Sequence, residues 1–288
     1  MNNHFKKNIP IIIFVLLLII GVVIICYPVI SNVLATKNHQ EVITQYKEVA
    51  ISSKSSIASL IEEAKAYNEK LTKSTITDVF TNPKEESKEY LSILNTGKDG
   101  VMGYISIPKI EEEIPIYHGT STKVLQKGVG HLEGSSFPVG GENTHAVLSA
   151  HRGLPSAKLF TDLNQLKKGD EFYIHILDET LAYQVEDISI IEPSKTEKLT
   201  LQEGHDYVTL VTCHPYAINT HRLLVRGVRV PYKKAIATSV VAPKRSMSDL
   251  ICMTGIIIAI AIIIVVIVLS IKFNLISKNR QQEEIEVI

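Results

Sequence analysis

The sequence Val-Thr-Leu-Val-Thr-Cys, at residues 208–213, is a short apolar and β-branched run that ends on a cysteine. Such residues favour strands, and Pro215 stops the strand because it has no N–H group to donate to a ladder. We therefore expect Cys213 at the end of a strand, at the rim of a sheet. The next apolar run, at residues 223–227, is preceded by Arg222. A hairpin between the two runs would bring Cys213 and Arg222 to the same edge.

The strand pattern continues on the N-terminal side of this motif. Short runs rich in Val, Ile, Tyr and Thr alternate with Gly, Pro, Asn and Asp, which predicts a mainly β domain built as a barrel or a sandwich. One short helix is predicted at residues 157–166 and another at 85–94. Apolar residues recur at three- and four-residue steps through 38–73, which predicts one or two amphipathic helices. The predicted strands are 101–107, 114–118, 145–149, 171–177, 181–192, 207–212 and 223–231.

Two apolar segments without charged residues lie near the ends of the chain, at residues 9–26 and 250–271. Each is close to the roughly 20 residues that a helix needs to cross a bilayer. For the first segment, a cleaved signal peptide is the alternative. Its length and the poor cleavage site at Val33-Leu-Ala35 favour an uncleaved anchor.

Flanking charges predict the orientation of these two segments. Lys6 and Lys7 precede the first, and basic residues 272, 278 and 280 follow the second. The positive-inside rule then predicts a two-pass protein of the cell membrane, with both termini cytoplasmic and about residues 31–249 outside. Lys244 and Arg245 lie on the expected outer side and weaken this signal. The formal net charge is zero, with 30 basic and 30 acidic residues and no basic stripe, so nucleic-acid binding is not expected.

Cys213 is the only cysteine between the two apolar segments, since Cys26 and Cys252 lie at their edges. It cannot form a disulfide within its own domain, which makes it a candidate reactive thiol. A nearby arginine could stabilise the thiolate or donate to an oxyanion. The alternative is a buried cysteine that acts only as a small apolar residue.

A cysteine nucleophile also needs an acid or a base, and the chain offers several histidines. His151 closes a predicted strand 62 residues before Cys213. His214 and His221 adjoin Cys213 and Arg222, but neighbouring strand residues point to opposite faces. Position alone leaves His151 as one of several candidates. The remaining ones considered are His118, His131, His145, His175 and His205.

A shared metal is the competing use of cysteine and histidine. The sequence contains no Cys-x-x-Cys and no His-Glu-x-x-His, and one exported cysteine cannot build a closed thiolate zinc site. We therefore expect no metal and no other cofactor.

Several motifs in order resemble the sortase family. Residues 209–213 with Asn219-Thr-His-Arg222-Leu resemble the sortase active-site strand pair, and Ser149-Ala-His151-Arg-Gly-Leu-Pro resembles the histidine segment. The resemblance covers about residues 101–231, selects His151 as the catalytic histidine, and implies an eight-stranded sortase β-barrel with N-terminal helices, flanked by two transmembrane helices. Since only seven strands are predicted, one is missed or merged. Further matching motifs are Gly103-Tyr-Ile-Ser-Ile-Pro-Lys, Ile114-Pro-Ile-Tyr-His-Gly, Gly128-Val-Gly-His-Leu-Glu-Gly and Phe160-Thr-Asp-Leu.

The two spans and the helical N-terminal region resemble class C sortases, the pilin polymerases of Gram-positive bacteria. Such enzymes commonly carry a lid loop with an Asp-Pro-aromatic motif. The matching residues here are Asp78, Val79 and Phe80, with valine in place of proline. The resemblance implies that Phe80 covers the thiol and Asp78 pairs with Arg222. The missing proline predicts a less rigid lid, and an ordinary solvated linker is the alternative.

The resemblance also implies the reaction. Cys213 would attack the Thr carbonyl of a Leu-Pro-x-Thr-Gly-like sorting signal, His151 would protonate the leaving amine, and Arg222 would hold the substrate and the oxyanion. The expected partners are pilins or surface proteins with that signal and an acceptor amine from a pilin lysine or a cell-wall peptide. A housekeeping sortase that attaches proteins to cell-wall peptide, and a non-enzymatic exported scaffold, are the alternatives.

The predicted organisation follows from these patterns. It comprises a cytoplasmic N-terminus (1–8), a transmembrane helix (9–30), a helical region (31–73), a lid loop and short helix (74–100), the catalytic barrel (101–235), a linker (236–249), a second transmembrane helix (250–271) and a cytoplasmic tail (272–288).

Overall fold

The structure is a computed structural model that describes residues 3–52, 56–71, 86–96 and 100–233, with a few single positions between 254 and 272. The chain divides into two units. One comprises residues 31–243, and the other comprises residues 1–30 and 244–288.

The first helix, α1 (Asn3–Ser52), contains the N-terminal apolar segment. Large apolar side chains along this segment are exposed, and Ile25 is 71% exposed. Leu16–Ser52 is long and apolar enough to cross a membrane, and it is the only such helix in the described part of the chain. The finding agrees with a membrane anchor at the N-terminus. Most of the second predicted span, residues 250–271, lies outside the described residues, so it stays a prediction.

The amphipathic pattern predicted for 38–73 forms the end of α1 and a second helix, α2 (Ile57–Lys70). Each buries one face against the core of the 31–243 unit, with Ile43, Tyr46 and Ala50 on α1. On α2 the buried residues recur at three- and four-residue steps, as expected of an amphipathic helix. They are Ile57, Ile61, Ala64 and Asn68.

Eight strands form a closed barrel in the order β1-β2-β3-β4-β7-β8-β6-β5. This confirms the predicted mainly β barrel with N-terminal helices. The strand missed from the sequence is β3, which has only three residues, two of them flanking Gly130. The strands are β1 (Val101–Ile107), β2 (Glu112–His118), β3 (Val129–His131), β4 (Thr144–Ser149), β5 (Glu171–Ile176), β6 (Glu179–Ile191), β7 (Asp206–His214) and β8 (His221–Val230).

Short helices complete the unit. The helix predicted at 85–94 is present as α3 (Lys88–Ser92), and α4 (Thr122–Lys127) precedes β3. The helix predicted at 157–166 is wrong, because only the 3-10 helix Leu163–Gln165 forms there. Leu159 has a left-handed backbone with φ of 44°, which interrupts any α-helix through this segment. Two further 3-10 helices are Pro108–Ile110 and Glu197–Leu199.

Strand β7 is buried on both faces. Val208 and Leu210 point into the barrel core, whereas Val211 belongs to a second apolar cluster with Val147, Leu199 and Leu224. Because side chains alternate along a strand, Cys213 is on the same face as Val211. The thiol therefore lies on the outer face of the barrel, beside the cluster that the β6–β7 connection covers.

Candidate active site

Cys213 and Arg222 face each other across the β7–β8 pair. The two strands are antiparallel, and their register pairs Cys213 with Arg222 and His214 with His221. Cys213 is 7% exposed and Arg222 is 4% exposed. The hairpin predicted from the sequence thus brings these two residues to one edge of the sheet.

His151 reaches the same edge from the other neighbour of β7. Strands β4 and β7 are parallel, and their register pairs Ser149 with Val211. Just beyond this pair, Ala150 N donates to Val211 O at 3.2 Å, and Thr212 Oγ1 donates to Ala150 O at 2.8 Å. Two residues further along both chains, the same register places His151 beside Cys213. The 62-residue spacing noted in the sequence is the offset of this parallel pair.

The surroundings of His151 favour a neutral imidazole. The side chain is half-buried, and burial lowers the pKa of His151 below its usual value. Desolvation has this effect because it disfavours the charged form of the ring. A neutral ring can accept a proton from a neighbouring thiol.

Arg222 is held by the loop that joins β7 to β8. Its Nη1 donates to Asn219 O and to His221 O, each at 3.0 Å. Both acceptors are backbone carbonyls, so they orient the planar guanidinium without neutralising its charge. Asn219 itself has a left-handed backbone, with φ of 61°, which shapes this turn.

A groove of mostly apolar residues adjoins Arg222 on the outer face. It is built from β4, β7, β8 and the β6–β7 connection. The open space between its walls is small, about 10 Å³, which is enough for about one water molecule. The lining residues are Val147, Ile191, Pro193, Thr196, Leu199, Val211, Arg222 and Leu224.

Four of the other histidines are held in structural hydrogen bonds within the barrel unit. His131 is fully buried between Tyr90 and Ser136, and burial lowers its pKa to about 3. His145 contacts Thr200 O and Thr209 Oγ1, and burial lowers its pKa to about 4. The remaining candidates are bonded or exposed away from the Cys213 edge. His118 contacts Gly100 O and Ile93 O, His175 lies between Ser106 and Thr180, and His205 is exposed at the start of β7.

His214 has a role that the sequence did not suggest. Its Nδ1 accepts a hydrogen bond at 3.1 Å from Nη1 of Arg152, the residue that follows His151. Arg152 and His214 have the same 62-residue offset as His151 and Cys213. Extending the β4–β7 register by one more residue would therefore have indicated this contact. It links the two strand ends that carry His151 and Cys213.

The predicted lid is not defined by the structure. The lid residues Asp78 and Phe80 lie outside the described residues. Within the described ranges, no group of three or more His, Cys, Asp and Glu side chains could hold a metal ion.

Comparison with known proteins decides the family. The profile of the Sortase domain matches residues 105–230. The solved structure of Streptococcus pneumoniae sortase C is 50% identical, with 67% of this chain and 98% of that chain covered and a TM-score of 0.64. The chain belongs to the sortase family. Membership confirms the predicted class of enzyme, a cysteine transpeptidase, and the barrel fold.

Further sortases match over different lengths. Sortase C-1 from Actinomyces oris is 47% identical, with 61% of this chain and 99% of that chain covered and a TM-score of 0.59. Sortase D from Bacillus subtilis (strain 168) is 34% identical over 131 residues, which is 44% of this chain. The match spans 63% of that sortase, less than two thirds of its length. The predicted resemblance to class C sortases is confirmed by the sortase C structures. The roles of Cys213, His151 and Arg222 stay predictions.

Proposed function

We propose that this sortase is a membrane-anchored class C enzyme that cleaves a Leu-Pro-x-Thr-Gly-like signal between Thr and Gly and joins the Thr to a pilin lysine. The observation that carries the proposal is the register of three adjacent strands. Strand β7, with Cys213 near its end, lies between β8, which pairs Arg222 with it, and β4, whose register leads to His151.

The relatives support the class C assignment. The structure of S. pneumoniae sortase C is described in terms of pilin substrate specificity, and a group B Streptococcus neighbour is a pilus-related sortase C. These two proteins are 50% and 44% identical to this chain. The sortases A of Bacillus anthracis and Staphylococcus aureus are 29% and 27% identical.

In the first half of the proposed reaction, Cys213 passes its proton to the neutral His151 and becomes a thiolate. The sulfur attacks the carbonyl carbon of the Thr in the signal, and the guanidinium of Arg222 stabilises the oxyanion. The C–N bond to Gly then breaks, and His151 returns the proton to the departing amine. The product is a thioester between Thr and Cys213.

In the second half, a lysine amine attacks the thioester carbonyl and loses a proton to His151. The C–S bond breaks, which restores the Cys213 sulfur and leaves an isopeptide bond between Thr and lysine. Water at the same step would give hydrolysis instead.

The membrane and the lid belong to the same proposal. Anchoring confines the enzyme and a membrane-borne signal to one surface, which raises their effective concentration. Asp78 and Phe80 close over the thiol as a lid, with Asp78 paired to Arg222. Asp78→Ala should therefore speed turnover of a free peptide, and an unchanged rate would count against the lid.

The proposal is tested with the full chain in detergent and a Leu-Pro-x-Thr-Gly peptide. Mass spectrometry should find a thioester on Cys213 in the wild type and none in Cys213→Ala. Cys26→Ala is the matched control, because Cys26 lies in α1 in the other unit, and it should still form the thioester. No adduct in the wild type would leave the non-enzymatic scaffold as the better interpretation.

A second measurement separates the two kinds of sortase. The trapped thioester is offered a pilin domain with an accessible lysine or a short oligoglycine. Transfer to the lysine supports the polymerase. Transfer to oligoglycine alone would overturn the polymerase in favour of the housekeeping sortase.

A further inference from the structure

Arg152 and His214 lie one residue beyond His151 and Cys213 on two parallel strand ends. Since neighbouring strand residues alternate between faces, the side chain of His214 lies on the opposite face of β7 from Cys213. Arg152 Nη1 donates to Nδ1 of His214 at 3.1 Å. One direct contact thus joins the two strand ends on the face of β7 opposite to Cys213.

The position of His151 needs such support. The paired residues of the β4–β7 ladder run from Thr144↔Asp206 to Ser149↔Val211. His151 therefore lies past the paired part of β4, at the start of the loop towards Leu163–Gln165. A small shift of this loop would change the distance between the imidazole and the Cys213 sulfur, to which proton transfer is sensitive.

Two hydrogen bonds to the following loop orient the guanidinium of Arg152. Its Nε donates to Thr161 O at 3.0 Å, and its Nη2 donates to Asn164 Oδ1 at 2.8 Å. With these two partners on the loop, Nη1 is presented to His214. The backbone of His151 is held by the same segment, because Phe160 N donates to His151 O at 3.2 Å.

The contact also fixes the protonation of His214. A guanidinium has only donors, so Nδ1 of His214 must be the unprotonated acceptor and Nε2 must carry the proton. Burial first, and then the neighbouring Arg152 and His221, lower the pKa of His214. The neutral ring that the contact requires is therefore the favoured form near neutral pH.

A second contact joins the same two loops. Gly153 has φ of 78°, and a Cβ at this position would lie 2.8 Å from a ring carbon of Tyr216. The ring of Tyr216 thus packs directly on the backbone of the His151 loop.

We propose that Arg152 and His214 are positioning residues, which hold His151 level with Cys213 through the hydrogen bond between their side chains. This inference rests on the proposed function for the identity of the reacting pair. It adds a residue, His214, that binds no substrate and acts through the geometry of its neighbours.

The test uses the full chain in detergent with His214→Ala and His214→Asn. Asparagine carries a side-chain oxygen at about the place of Nδ1 and can accept from Arg152 without an imidazole. We expect His214→Ala to lower kcat by about 10- to 100-fold, as expected for a misplaced catalytic group, with KM changed less than about twofold. His214→Asn should restore kcat to within about threefold of the wild type.

The matched control is His205→Asn, the same change in an exposed histidine at the other end of β7, and it should leave kcat unchanged. An unaltered kcat in His214→Ala, or an equal loss in His214→Ala and His214→Asn, would overturn the proposal. Nitrogen-15 NMR of the wild-type protein gives a readout that does not depend on activity. It should show Nδ1 of His214 unprotonated at neutral pH, and a proton on Nδ1 would also overturn the proposal.

Failure of the proposed function would be recognised separately. If the wild type forms no thioester with the peptide, alkylation of Cys213 by iodoacetamide becomes the rate that is compared. That rate should fall about tenfold in His214→Ala and recover in His214→Asn, because thiolate formation depends on His151. Equal alkylation rates in all three proteins would refute the positioning role without reference to any peptide.

Discussion

At the scale of single residues, the burial of His151 predicts how activity depends on pH. In the proposed mechanism, the pair of Cys213 and His151 is active with one proton shared between them and inactive with two. Because burial lowers the pKa of His151, the second proton binds at a pH below the usual histidine value of about 6.5. As the pH falls, the half-maximal point of kcat/KM should therefore lie below pH 6.5. A pH profile of peptide cleavage measures this, and a half-maximal point above 6.5 would contradict it.

A second residue-scale prediction concerns two buried serines. Ser149 Oγ is buried and has no hydrogen-bond partner within the described part of the chain. Burial of an unpaired hydroxyl costs about 1–3 kcal/mol, so Ser149→Ala should raise the free energy of unfolding by about 1 kcal/mol. Ser135 is the matched case, because its Oγ donates to Leu132 O at 2.7 Å and accepts from Val147 N at 3.1 Å.

Removal of the hydroxyl from Ser135 is expected to change the free energy of unfolding in the opposite direction. Ser135→Ala leaves the buried N–H of Val147 without its partner, whereas Leu132 O keeps the bond from the backbone N–H of residue 135 at 3.1 Å. The change should lower the free energy of unfolding by about 1–3 kcal/mol. Denaturant titration of both variants measures the two changes. A loss of stability in Ser149→Ala as large as that in Ser135→Ala would show that Ser149 has a partner after all.

The candidate site was only partly predictable from local sequence. Cys213 and Arg222 come from one hairpin, so a strand end and a nine-residue spacing were enough to bring them together. His151 comes from a parallel strand, whose pairing depends on a crossover and leaves no local signal. Resemblance to a family therefore selected His151 where spacing could not. The Arg152–His214 contact was missed because it needs the same long-range register.

At the scale of elements, two errors have physical causes. Strand β3 is too short for an alternating pattern and contains a glycine, which weakens any strand signal. The segment predicted as a helix at 157–166 buries Phe160, Leu163 and Leu166, which repeat every three residues. Its backbone bonds include Leu163 N to Phe160 O and Leu166 N to Leu163 O, the i to i+3 pattern of 3-10 turns.

One buried hydroxyl contributes to the docking of α1 on the barrel. Tyr46 OH donates to Met102 O at 2.8 Å and accepts from Leu177 N at 2.7 Å, so it bridges β1 and the β5–β6 turn. Tyr46→Phe leaves both backbone groups unpaired and should lower the free energy of unfolding by about 1–3 kcal/mol. Denaturant unfolding of the full chain in detergent measures the loss.

Tyr216→Phe is the control for this change, because Tyr216 is 55% exposed and its hydroxyl can bond to water. Its free energy of unfolding should stay within about 0.5 kcal/mol of the wild type. Equal stabilities for Tyr46→Phe and the wild type would mean that this hydroxyl does not stabilise the docking.

At the scale of the whole molecule, closure of the barrel explains why the site lies on its outer face. The β1–β5 pair closes the sheet and fills the interior with apolar side chains, which leaves no room for a substrate inside. Alternation along β7 then gives every second residue to the outer face, and Cys213 is the last of these in the strand. The sequence predicted a barrel or a sandwich from strand spacing, but closure itself depends on pairing between strands that are distant in the chain.

The last prediction concerns membrane topology. Residues 250–271 contain no charge and are long enough to span a bilayer. Basic residues precede the first apolar segment and follow the second. If both segments span, the barrel is outside and both chain ends are in the cytoplasm. We expect a membrane-impermeant maleimide to label a cysteine placed at Lys233 in intact cells, in a background without Cys26, Cys213 and Cys252.

Cysteines placed at Asn3 and Ser277 are the matched probes for the two chain ends. They should react only after the membrane is permeabilised, because the impermeant reagent cannot cross the bilayer. Labelling at Ser277 but not at Asn3 in intact cells would mean that the second segment does not span. The substrate and the barrel would still share the outer surface in that case, since α1 alone is long and apolar enough to anchor the chain.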